Sequence, residues 1–177
     1  MKQNWARSAP IKFLIVMLVS IAISAPAVAA GSRSGSTIVQ DKLGKLGPLM
    51  DEIGQELVGI AGGNPDGIFL YVEIGKKWIS SHLYKREGKL VRELDIPDAY
   101  LAKLIRKAWR LEPNKPNMRW SVMNYGIKKG KFDVLLKYPE EVDVEAYDQN
   151  DQRRSSALKS FYGSNRVIHL GPRADSI

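Results

Sequence analysis

The strongest constraint on this chain is a change of hydrophobic period in its centre. In "IPDAYLAKLIRKAWRLEP", residues Leu101, Leu104, Ile105, Ala108 and Trp109 fall at i, i+3, i+4, i+7 and i+8. That spacing makes one apolar stripe on a helix, with Lys103, Arg106, Lys107 and Arg110 covering the other side. Pro97 precedes it, and Pro113 and Pro116 follow. On either side the pattern is that of strands. "IFLYVEI" (68–74) is β-branched and aromatic, a turn at Gly75-Lys76 leads into "KWISSHLYK", and Glu87-Gly88 turns the chain into "KLVREL". After the helix, "MRWSVMNYGIKKGKFDVLLKY" reads as two strands joined around Lys129-Gly130.

Two further helices complete the order. Leu49, Ile53, Leu57 and Ile60 are spaced by four, four and three, so a helix is expected from Pro48, as its first residue, to about Ala61, where Gly62-Gly63 stops it. "NDQRRSSALKSFYG" predicts a last helix, with Asn150 or Asp151 as cap and Gly163 as stop. The expected fold is therefore α+β: an antiparallel sheet made of a three-strand meander and a hairpin, with helices packed on it, in the order α-βββ-α-ββ-α. Residues 164–177 have no sustained period and read as a loose tail.

The first thirty residues set the compartment. The apolar run Phe13 to Ile23 is about half the roughly 20 residues that a spanning helix needs. Lys2, Arg7 and Lys12 precede it, no acid occurs before Asp41, and small residues surround Ala27, Val28, Ala29 and Ala30. This is the pattern of a secretory signal peptide over residues 1–29, cleaved near Ala29 or Ala30. The expected product is periplasmic or secreted, with no transmembrane anchor in the mature chain. A flexible leader (30–47) and one domain (48–163) follow. Losing the leader lowers the net charge from +8 to +5, which permits an anionic surface or acidic partner without calling for nucleic acid. The absence of cysteine removes disulfides, thiol nucleophiles and zinc–thiolate sites together.

Chemistry is sparse. The two histidines, His82 and His169, are far apart, and His82 reads as a half-buried residue on the strand face it shares with Trp78, Ser80 and Tyr84. Ser80-Ser81-His82 lacks the glycines of a nucleophile elbow. "GIAGGNPDG" follows a helix and precedes a strand, the reverse of a phosphate loop. No catalytic residue, metal ligand or cofactor is expected. Trp78, Trp109, Trp120 and Phe132 are core candidates. Charge, by contrast, is segregated: Pro139 to Asp151 holds Glu140, Glu141, Asp143, Glu145, Asp148 and Asp151 and no base. Read structurally, this is a solvated edge and loop. Read functionally, it is an acidic surface with Tyr147 as aromatic anchor for a basic partner. The basic face of Lys103, Arg106, Lys107 and Arg110 is the alternative, a site for an anionic ligand or surface in the envelope.

The order of elements, together with Trp120, "GKF" at Gly130 to Phe132, Tyr138, and "RR…FYG" at Arg153-Arg154 and Phe161 to Gly163, resembles the YezG-like family of small α+β proteins. The resemblance spans about Met50 to Gly163. It implies an immunity protein that neutralises a bacterial toxin by binding it, with no catalytic motif to carry over. The apparent export departs from the cytoplasmic setting expected where the toxin is a nuclease.

Overall fold

The computed structural model describes residues 34–169 apart from 98, 116, 147 and 148, with side chains from residue 44 onward. Residues 1–33, which hold the expected signal peptide and Ala27 to Ala30, lie outside the described residues. Nine elements follow one another: α1 (Ser34–Ile60), β1 (Ile68–Ile74), β2 (Ile79–Glu87), β3 (Leu90–Leu94), α2 (Ala99–Arg110), β4 (Val122–Lys128), β5 (Lys131–Lys137), α3 (Asn150–Tyr162) and β6 (Arg166–Ile168). The expected α+β order is present. The strands form one sheet in the order β5-β4-β1-β2-β3-β6, antiparallel except where β6 joins β3. No helix among the described residues is long and apolar enough to cross a membrane.

β1 is central and buried at all seven positions, so its period of two feeds two cores. Ile68, Leu70, Val72 and Ile74 face Leu49, Ile53 and Leu57 of α1 and Leu101, Leu104 and Ile105 of α2. Phe69 and Tyr71 face the other way, onto Leu158 and Tyr162 of α3. The sheet is thus sandwiched between a helix pair and a single helix. The five-residue stripe read from α2 is buried throughout. Trp120 is buried, and its carbonyl accepts the Trp109 indole N–H at 2.9 Å. Phe132 stacks on Tyr125 with ring centres 5.2 Å apart.

The Lys129-Gly130 hairpin has both residues at positive φ (52° and 71°), the left-handed pair of a type I′ turn. The Lys129 N–H donates to Asp66 Oδ1 at 2.8 Å, tying this turn to the loop before β1.

Three expectations need correction. The first helix starts at Ser34, so it includes the later part of the expected flexible leader, and Pro48 lies inside it. Pro48 is exposed, where losing one backbone bond is tolerated and the buried Gly47 and Leu49 carry the packing. α3 is capped by Gln149 without a side-chain bond, not by Asn150 or Asp151. The residues after Gly163 do not form a loose tail throughout, since Arg166–Ile168 pairs in parallel with Leu90–Arg92. Three residues are too few to show a period, and their pairing is non-local.

Gly126, in the middle of β4, leaves the space that Phe161 of α3 fills. A Cβ there would lie 2.3 Å from a ring carbon of Phe161, and Phe161 itself stacks on Phe69 at 4.8 Å. Gly126→Ala is expected to lower stability by roughly 1–3 kcal/mol through overpacking. The penalty should shrink in a Phe161→Ala background, as measured by urea unfolding of both pairs.

Candidate functional site

The sheet face under α3 carries polar groups in its centre. Period two on β1 points Glu73 at α3, where it is 1% exposed. Burial alone opposes its ionisation, but hydrogen bonds from Arg153, Tyr71 and Asn150 outweigh that and hold its pKa below the usual carboxylate value. Arg153 Nε donates to Oε1 at 2.8 Å and Nη2 to Oε2 at 3.0 Å. The Tyr71 hydroxyl donates to Oε1 at 2.6 Å and Asn150 Nδ2 to Oε2 at 2.7 Å. Burial, with the carboxylate beside it, pushes the Tyr71 phenol well up, so it stays a donor. The third arm of the guanidinium leaves the pair. Arg153 Nη1 donates to the carbonyls of Asp143 and Ala146, each at 3.0 Å. One side chain therefore joins β1, α3 and the acidic segment.

Beside it lies a second network. His82 Nδ1 is 2.9 Å from Glu93 Oε1, and His169 Nδ1 is 3.0 Å from Glu93 Oε2. Burial resists the charge on Glu93, and bonds from the two histidines overcome it, so its pKa is lowered. Arg154 Nη1 lies 2.8 Å from His82 Nε2, and Nη2 donates to Asp151 Oδ1 at 2.6 Å. Ser80 Oγ is 3.2 Å from the same Nε2. Hydroxyl, imidazole and carboxylate stand in the order of a nucleophile relay. Arg154 Nη1 is also 3.1 Å from His82 Nδ1, so this guanidinium nitrogen sits close to both ring nitrogens and places a cation against the imidazole. The network links α3 and the chain after β6 to β2 and β3. A shallow cleft of about 440 Å³ adjoins it, between Ile79, His82, Glu93, Leu94 and Ile96. Among the described residues no group of three or more His, Asp or Glu could hold a metal ion.

The residues singled out from the sequence fall on two separate surfaces. Glu140, Glu141, Asp143, Glu145 and Asp151 are exposed on the α3 side. Glu141 accepts the Tyr138 N–H at 3.0 Å and Asp143 the Glu145 N–H at 2.9 Å, while Val144 is buried beneath them. Tyr147 and Asp148 lie outside the described residues. Lys103, Arg106, Lys107 and Arg110 line a shallow groove of about 620 Å³ with Ala99, Ala102 and Leu111, on the α2 side.

Sequence reading placed His82 correctly on a strand face but missed its partners. Glu93 is recognisable only once the β2–β3 register sets it beside Tyr84, and His169 only once β6 forms. For Arg153 a signal existed: an "RR" pair in a helix opposite a strand with a single inward acid.

Compared with known proteins, the chain matches no family model and no curated protein sequence.

The Glu73–Arg153 pair gives a pH dependence with a definite sign. A depressed carboxyl adds stability that is complete above the ordinary Glu value, about 4.3, and is lost as the pH falls through the lower folded value. Arg153→Met strands the buried carboxylate and is expected to cost roughly 3 kcal/mol at pH 7. The gap to wild type should narrow as the pH falls below the ordinary Glu value and through the lowered one of folded Glu73. Urea midpoints measured from pH 7 down to pH 2.5 check this, and a constant gap would contradict it.

Proposed function

We propose that this chain is an exported binding protein of the immunity type, akin to the YezG-like family, which neutralises a bacterial protein toxin by docking an acidic surface on it. The observation that carries this reading is the anchoring of the acidic segment. The Arg153 guanidinium holds the carbonyls of Asp143 and Ala146 while its other two nitrogens are fixed on buried Glu73. A loop ordered before binding loses less entropy on binding, and a concentration of carboxylates on it favours fast, selective capture of a basic partner. The element order and the "RR…FYG" residues agree with the family resemblance. The basic sequence start and short apolar core agree with export.

A second reading rests on the groove of Lys103, Arg106, Lys107 and Arg110. Four cationic side chains around an apolar floor suit an anionic ligand of the envelope.

The two readings separate in one experiment. Protein expressed from the full sequence is recovered from the periplasmic fraction, its N-terminus sequenced, and its bound partners captured. The expected N-terminus is Ala30 or Gly31, and the expected partner is a basic protein. Glu140→Lys with Glu145→Lys should weaken capture by about tenfold or more, and Lys103→Glu with Arg106→Glu should leave it unchanged. The opposite pattern favours the anionic ligand. Retention of the leader in a cytosolic product, or no protein partner, overturns the first reading.

A further inference from the structure

β5 is an edge strand of seven residues, and among the described residues no strand lies beyond it. The other edge, β6, has only three. The β4–β5 register sets which backbone groups of β5 are unused. A two-residue I′ hairpin is closed by a pair that exchanges both of its backbone bonds, and here that pair is Lys128 and Lys131. By alternation, Lys131, Asp133, Leu135 and Lys137 point their N–H and C=O at β4. Phe132, Val134 and Leu136 point theirs outward. The odd-numbered side chains stand on the α3 side of the sheet, where Leu135 is 44% exposed and Asp133 is exposed.

We propose that β5 pairs antiparallel with β5 of a second copy, about a twofold axis through Leu135. Matching outward groups to outward groups requires the axis to pass through a residue. An axis at Asp133 sets the two carboxylates opposite each other. An axis at Val134 sets Lys131 opposite the partner's Lys137, twice. An axis at Leu136 sets Asp133 against Pro139 and shortens the overlap. The axis at Leu135 alone sets Asp133 opposite the partner's Lys137 at both ends, with the two Leu135 side chains meeting in the middle and Val134 opposite the partner's Leu136. Pairing ends at Tyr138, whose N–H already donates to Glu141. The lysines that would guard an edge against association here exclude the wrong register and complete the right one. The inference is independent of the toxin-binding reading, since β5 carries none of the residues assigned to it.

The test is sedimentation equilibrium of protein expressed from the full sequence, over about 1–100 µM, the range where transient interfaces show. Wild type is expected to dimerise. Asp133→Lys and Lys137→Asp should each raise the dimer dissociation constant by about tenfold or more, because each converts two attractive cross-strand pairs into repulsive ones. The double variant should restore it, which a general loss of folding would not. Leu135→Cys offers a second readout, because the chain has no other cysteine. Non-hydrogen-bonded opposite residues sit about 4.5 Å apart at Cα, close enough for a disulfide. Oxidation should therefore cross-link this variant and leave Asp133→Cys uncross-linked. A monomer across the range, a dimer indifferent to both charge changes, or no Leu135→Cys cross-link overturns the proposal.

Discussion

The structure turns on the carboxylate of Glu73, which with Glu112 is one of two acids buried among the described residues. Glu73 sits on the central strand at 1% exposure, where an unpaired charge is costly, and four donated hydrogen bonds from α3 and Tyr71 make its burial tolerable. Because two of those donors are the forks of Arg153, α3 has one position in which the charge is satisfied. The third nitrogen of Arg153, Nη1, then holds the carbonyls of Asp143 and Ala146. Hydrophobic contacts of Leu158 and Tyr162 supply area under α3, but they are non-directional. The ion pair fixes register.

The same helix holds its neighbours by a similar device. Arg154 reaches His82, His82 and His169 share Glu93, and the chain after β6 is thereby fastened to the sheet. At its far end, the Tyr162 hydroxyl lies 3.0 Å from the carbonyl oxygens of both Gly67 and Tyr84. Arg153, Arg154, Phe161 and Tyr162 of the "RR…FYG" residues are thus contacts between α3 and the sheet, while Gly163 caps the helix. The acidic segment packs through Val142 and Val144 on the α3 side of the sheet, and the basic groove lies along α2.

The regular elements were legible because their periods are long and clean. α2 showed its stripe in full, and the Lys129-Gly130 turn announced itself in sequence. What stayed hidden depended on distant pairing. Glu73 looked like an ordinary alternation in a strand, and Asn150 looked like a cap, until both met Arg153. His169 appeared to sit in a tail because three residues of β6 carry no period. The start of α1 was misplaced since Gly44, Gly47 and Pro48 weaken local propensity, while the helix is secured further along by Leu49, Ile53 and Leu57. The acidic and basic clusters stand out in the sequence as runs of like charge, yet nothing in it disclosed that the carbonyls of Asp143 and Ala146 are held by Arg153.

That anchoring is most directly tested by amide hydrogen exchange in Arg153→Lys, which keeps a charge beside Glu73 but lacks the arm that holds Asp143 and Ala146. Faster exchange of the Glu145 and Gln149 amides, with β1 and β2 as protected as in wild type, is the predicted result. Unchanged exchange across residues 139–149 would contradict the account.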